Sequence, residues 1–152
     1  MDVKQTDLGR TVYGGGGITP DEKFEPAKLD AFEIAAARKS AFFNFSAQYF
    51  AEHDTKLKKG WTPDETVLEA FHDYLLKQGV QFTEKDWATD RSWLRDQLRA
   101  EMYITAFSYE DSEKARVEQD PEVAKAIDAM PKAADLLAQS KARFEKQRAS
   151  LR

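Results

Sequence analysis

The sequence predicts an all-α fold, a helical bundle of about four to six helices preceded by a short extended, glycine-rich segment. Three observations predict it. From residue 29 onward apolar side chains recur at intervals of three and four, the spacing of one helix face. Residues suited to capping stand at the starts of these runs. Five of the seven glycines and two of the five prolines fall within the first 26 residues, which sets a turn-rich lead apart from the rest of the chain. The expected organisation is therefore a lead over residues 1–26 and a helical domain over residues 27–152.

In the lead, Arg10-Thr11-Val12-Tyr13 has the β-branched and aromatic character of a short strand. The adjoining Gly14, Gly15, Gly16 and Gly17 permit positive φ, and Thr19-Pro20-Asp21 ends the stretch with turn chemistry. The strand has no evident partner. Its unpaired edge is expected to be mobile or to pair with a neighbouring molecule.

The first helix is expected over about residues 29–53, with Asp30 and Glu33 as reciprocal caps. A second is expected to open at Thr62, with Pro63 at its first position and Glu65 closing a capping box. Leu68, Phe71 and Leu75 share its inner face, and Gly79 stops it. Thr83 and Asp86 begin a third helix reaching about Phe107, with Trp87, Leu94, Leu98, Met102 and Ile104 on the buried side. Asp90 and Ser92 could each cap a helix, which leaves a break over residues 89–92 open. Ser108 with Asp111 and then Asp120-Pro121 mark two further starts. After the second, Val123, Ile127, Met130, Ala134 and Leu137 recur at helical spacing, Pro131 is expected to kink or restart the helix, and residues 141–152 are expected to fray.

The composition excludes several function classes. At 152 residues with 41% hydrophobic side chains, including ten Phe, five Tyr and three Trp, there is apolar material for one ordinary core. The net charge of −4 gives no general attraction for nucleic acid. No apolar run approaches the ~20 residues of a membrane span, and the first seven residues contain no hydrophobic signal core. Cysteine is absent, so disulfides and thiolate metal sites do not arise.

A phosphate-binding loop would need the glycines to open a helix and a Gly-Lys-Ser/Thr to come after them. Neither is present, so the glycine run is read as a structural loop. As a string, however, Gly9-Arg10-Thr11-Val12-Tyr13-Gly14-Gly15-Gly16-Gly17-Ile18-Thr19-Pro20-Asp21 closely resembles the end of the protease core in bacterial C-terminal processing (tail-specific) serine proteases. There a Gly-Arg-x-Val-Tyr-Gly-Gly-Gly-Gly-Ile-x-Pro-Asp segment brings the chain out of the catalytic domain. The remainder is similar, more loosely, to the helical C-terminal extension of one branch of that family, in Ala41-Phe42-Phe43-Asn44-Phe45, in Phe71…Tyr74-Leu75…Gly79-Val80 and in Asp120-Pro121…Ala126.

The resemblance implies a parent serine endopeptidase with a Ser-Lys dyad and a PDZ domain, acting on protein substrates near their C-termini and exported, by resemblance, to the periplasm. In the family the dyad lies before the glycine string, and the nucleophile motif is not found in this chain. The lead is accordingly expected to be the edge of a larger folded protein, with Arg10, Val12, Tyr13, Gly14, Gly15, Gly16, Gly17, Ile18, Pro20 and Asp21 as a structural junction, and the chain alone is expected to be inactive. Expected partners are the catalytic and PDZ domains of the parent and its protein substrates, with a homo-oligomer left open. Neither nucleic acid nor a cofactor is expected.

Other candidate chemistry is thin. All seven serines lie in helical or capping contexts without a positioned base. Glu69-Ala70-Phe71-His72 supplies half of a di-iron Glu-x-x-His set, but Phe50 stands three residues before His53, the only other histidine. His72 is thus read as a solvent-facing residue beside Asp73, and His53 as complementing a helix end. The basic residues Lys141, Arg143, Lys146, Arg148 and Arg152 are read as a solvated helix end. The aromatic residues of the first helix exceed one face, so Phe42, Phe43, Phe45, Tyr49 and Phe50 are read as core that in part forms a contact surface. The expected role is a non-catalytic accessory domain serving core packing, oligomerisation or substrate access. An independent helical adaptor that recruits a partner through the aromatic helix is the alternative.

Overall fold

The computed structural model describes residues 3–5, 11–13, 22–38, 40–53 and 56–150. Two compact units are present, one of residues 27–120 and one combining residues 1–26 with 121–152.

In the second of these units, β1 (Val3–Gln5) and β2 (Thr11–Tyr13) pair antiparallel with Val3 opposite Tyr13 and Gln5 opposite Thr11. The strand predicted over residues 10–13 therefore has a partner within the same chain, which corrects the expectation of an unpaired edge. Backbone donors and acceptors on the facing edges of β1 and β2 pair with each other. The unit also contains α6 (Pro121–Ser150). Pro131 neither ends nor restarts this helix, and the helix continues through the charged stretch expected to fray. Good helix formers on both sides of Pro131, chiefly Ala, Leu, Lys and Arg, oppose the single lost backbone bond. Lys125 Nζ donates to the carbonyl of Lys23 at 2.6 Å, and Lys132 pairs with Glu22 at 2.5 Å.

The other unit carries α1 (Ala31–Arg38), α2 (Ala41–Glu52), α3 (Glu65–Lys77), α4 (Glu84–Ala106) and α5 (Tyr109–Val117). The helix expected over residues 29–53 is two helices. Its start is as predicted, since Asp30 and Glu33 exchange backbone N–H bonds at 2.8 and 2.9 Å. The chain then turns at Ser40, which adopts the left-handed conformation with φ 50°. On one straight helix Phe42 and Phe45 would lie roughly 80° and 140° round from Phe32. The turn brings all three into one core with Ala36.

α3 has its cap two residues later than the expected Thr62. Asp64 is its N-cap and accepts from the Val67 N–H at 3.0 Å, adding a carboxylate at the positive end of the helix. Glu65 makes no box with Thr62 and pairs instead with Arg91 and Arg95 of α4. Gly79 ends the helix at φ 68°. Its N–H donates to the Leu76 carbonyl and that of Val80 to the Leu75 carbonyl, both at 3.0 Å, while Leu75 and Val80 are both buried in the core. This is the Schellman arrangement, with the left-handed position held by the residue that has no Cβ to strain there.

Thr83 and Asp86 begin α4 as predicted, and they do so as a capping box. The helix runs without a break over residues 89–92. Thr89 Oγ1 donates back to the Lys85 carbonyl at 2.9 Å, so its hydroxyl is engaged within the helix rather than capping a new one. Trp87, Leu94, Leu98 and Met102 are buried as predicted, whereas Ile104 is exposed. Ser108 caps α5, and the buried Ser112 hydroxyl donates to the Ala100 carbonyl of α4 at 2.7 Å. Phe71 is at the centre of the core, with ring centroids of Phe42 and Phe45 each 5.0 Å away. Burying a side chain of this size contributes about 1.5–3 kcal/mol.

Candidate functional site

The contact surface predicted on the aromatic helix divides in two. Phe42 and Phe45 lie inside the core, Tyr49 and Phe50 are half-buried against it, and Phe43 is 59% exposed. Phe42 and Phe45 are thus the core members of the run, and Phe43 is its exposed member. The three-residue step from Phe42 to Phe45 keeps both on the face opposite Phe71, and the neighbouring Phe43 is rotated about 100° away.

Beside this aromatic face, α2 and α3 enclose an open cavity of about 380 Å³. Its apolar wall is Phe45, Tyr49, Ala70 and Tyr74, and its rim is Gln48, Glu52, His53, Asp73, Lys77 and Gln78. Helical spacing sets this composition. Gln48 and Glu52 are one turn apart and hydrogen-bonded at 2.7 Å, and Tyr74 and Lys77 lie three apart on α3.

His53 stacks on Tyr49 with centroids 4.3 Å apart and an interplanar angle of 16°. Its Nδ1 lies 3.0 Å from the Tyr49 carbonyl oxygen, to which it donates when that nitrogen carries the proton. The same carbonyl accepts the His53 backbone N–H at 3.0 Å, so the ring sits at the C-terminal end of α2, where the sequence reading put it. Burial pushes the Tyr49 hydroxyl above its ordinary pKa, with the Asp64 charge adding to the effect, and burial does the same for Tyr74. Both phenols remain neutral donors at physiological pH. The rim mixes Glu52 and Asp73 with Lys77, so the cavity is not a polyanion site. Its chemistry suits a short polypeptide segment, with rings for an apolar side chain and rim groups for the main chain. Sequence reasoning missed the α3 side of the cavity. The signal was present in Tyr74, three residues after Phe71 on a strongly capped helix.

His72 is a correction. It is largely covered rather than solvent-facing, its ring meeting those of Trp87 and Phe82 edge-on at 4.8 and 5.2 Å, with Nε2 3.2 Å from a Glu84 carboxylate oxygen and Nδ1 3.5 Å from Asp73. Packing against α4 accounts for it, and Glu69 is exposed. Among the described residues, no three His, Asp or Glu side chains are grouped so as to hold a metal ion.

A second cluster is one that sequence reasoning missed. Asp90 of α4 is only 8% exposed, and its carboxyl is pushed up to about 6 by burial, then by the charges of Asp30 and Glu33, by a hydrogen bond with Asp30 and by the charge of Asp86. Its Oδ2 has no hydrogen-bond partner among the described residues.

Of the predicted junction residues, Val12 lies in β2 and is exposed, and Tyr13 ends the same strand. Arg10, Gly14, Gly15, Gly16, Gly17, Ile18, Pro20 and Asp21 lie outside the described residues. No helix among the described residues is long and apolar enough to cross a membrane. Compared with family models, curated proteins and solved structures, the chain matches none.

Proposed function

We propose that this chain is a non-catalytic helical accessory domain of a C-terminal processing serine peptidase, acting through contact with its parent's catalytic and PDZ domains. The observation that carries the reading is the thirteen-residue string from Gly9 to Asp21, whose order of strand residues, four glycines and turn is far more specific than a glycine run alone. Two structural features support it. Residues 31–117 form a set of capped helices around their own aromatic core, as a domain appended to an enzyme requires. The buried Ser112 donates to the Ala100 carbonyl and Ser108 caps α5, so these hydroxyls have structural roles. The parent is placed by resemblance in the periplasm, and its substrates are protein tails.

The reading frame ahead of residue 1 is the first test. It is expected to encode a PDZ domain and a Ser-Lys protease core, and a frame without them sinks the assignment. The second is an assay of the chain with an unstructured protein substrate. No cleavage is expected from the chain alone, and cleavage that survives replacement of each serine by alanine would reverse the reading.

The cavity between α2 and α3 favours a second reading, an independent adaptor that holds a short peptide segment against Tyr49 and Tyr74. Titration with a peptide library separates the two. Selective binding abolished by Tyr74→Ala, in a chain whose gene encodes no protease, would favour the adaptor.

A further inference from the structure

α6 is a helix of 30 residues, about 45 Å long. Along it Val123, Ile127, Met130, Ala134, Leu137, Lys141, Phe144 and Arg148 succeed one another at alternating intervals of four and three. That alternation is the heptad seam of a coiled coil, narrower than the stripe of a helix buried in a globular core. Ile127, Met130, Leu137 and Phe144 on this seam are between 56% and 64% exposed. The residues tied to the lead, Lys125 and Lys132, are seven apart on the opposite face of the helix, and Ile127, Met130, Leu137 and Phe144 remain exposed beside the 22–25 segment.

We propose that α6 pairs with α6 of a second copy of this chain as an antiparallel two-stranded coiled coil. Charge and side-chain size both select this occupant and this direction. Residues 121–135 carry Glu122, Asp128 and Asp135 against Lys125 and Lys132, whereas residues 136–150 carry Lys141, Arg143, Lys146 and Arg148 against Glu145. A parallel copy would stack Lys141 on Lys141 and Arg148 on Arg148 within the seam. An antiparallel copy lays each basic half along an acidic half, which favours encounter and fixes direction. Centring the pair between Ala134 and Leu137 sets Ala134 opposite Leu137 of the other copy, small against large, and Ile127 opposite Phe144 of the other copy. Pro131 sits beside the seam rather than on it, and the apolar spacing is kept across it. The pairing does not depend on the peptidase reading, because it rests on α6 alone.

The chain has no cysteine, so single introduced cysteines report the geometry directly. Sedimentation of the full chain is expected to give a dimer. Under mild oxidation, Ile127→Cys and Phe144→Cys variants are expected to cross-link to each other when mixed, and neither to itself. Ile127→Asp with Leu137→Asp, which face Phe144 and Ala134 of the other copy, is expected to return the chain to monomer with its circular dichroism in the helical region retained, since both side chains are exposed. A monomer across the accessible concentration range, an assembly larger than a dimer, self-linking of each cysteine variant, a dimer that forms neither link, or a dimer that survives the double aspartate variant would each overturn the proposal.

Discussion

The Tyr103 hydroxyl of α4 accepts the backbone N–H of Gly60 at 2.9 Å and donates to the carbonyl of the next residue, Trp61, at 3.1 Å. A phenol 43 residues along the chain thus holds a turn in which Gly60 has φ 87° and the Trp61 N–H donates to the Lys58 carbonyl. Lys59 adds an ion pair with Asp111 and lies over the Phe107 ring. The link between α2 and α3 is fastened to α4 and α5 by these groups, which fixes where α3 begins and so the far wall of the cavity.

Tyr103→Phe keeps the ring and removes both bonds. With the backbone groups left to find water at a partly buried position, the loss is expected to be about 1–2 kcal/mol. Denaturant unfolding measures it, and amide exchange locates it: the Gly60 N–H is expected to exchange faster while the amides of α4 do not.

Phe43 and Phe45 are two residues apart on α2 and differ in exposure from 59% to 4%. Phe45→Ala leaves a void beside Phe71 and Tyr74 and is expected to cost about 3–5 kcal/mol. Phe43→Ala is expected to stay within about 0.5 kcal/mol of the parent. Thermal melts of the two variants decide it, and equal losses would mean that Phe43 is covered in solution.

Gly79→Ala tests the end of α3. A side chain at φ 68° is strained, and the expected cost is about 1 kcal/mol or somewhat more. Gly79→Asn is expected to cost less, since Asn tolerates the left-handed region. Equal losses in the two variants would show that the backbone conformation is not the cause.

Much of this architecture was legible because it is local. Capping at Asp30, Thr83 and Ser108, and the stop at Gly79, depend on groups within a few residues of each other, and the sequence displays them directly. The features it hides depend on partners far along the chain. The turn at Ser40 puts Phe42 and Phe45 beside Phe71, and a single serine inside a helical pattern is a weak turn signal. Asp64 displaces Thr62 as the cap, and Glu65 pairs with Arg91 and Arg95 of another helix instead of closing a box. Which members of the aromatic run are core was hidden for the same reason, since an aromatic run on one helix does not say which of its members the next helix will cover. Val3–Gln5 escapes notice as a strand because three residues with two polar side chains carry no periodic signal. The burial of Asp90 is equally hidden, because a charged residue in the middle of a helix ordinarily faces water.

That burial gives stability a pH dependence whose sign can be worked out. Asp90 has its folded pKa pushed up to about 6 from an ordinary 3.8, by burial first and then by the neighbouring Asp30, Glu33 and Asp86 charges. The folded chain therefore holds this proton more tightly than the unfolded chain, and protonation favours folding. The favourable contribution is complete below about pH 3.8, declines as the pH rises, and is lost above about 6. Asp86, Glu110 and Asp111 act in the opposite sense, because their pKa values are lowered by hydrogen bonds from Thr83, Lys114 and Lys59 in turn, and the stability they supply is lost as the pH falls. The total pH profile mixes both, so the informative quantity is the difference between the parent and Asp90→Asn. Asparagine carries no charge into the buried site and still offers an N–H donor to the Asp30 carboxylate. The variant is expected to melt higher than the parent at pH 7, with the difference shrinking through pH 6 and vanishing near pH 4. A variant less stable than the parent at pH 7, or a difference that does not change with pH, would mean that Asp90 is ionised without penalty in the folded chain and that α1 and α4 meet there through a solvated contact.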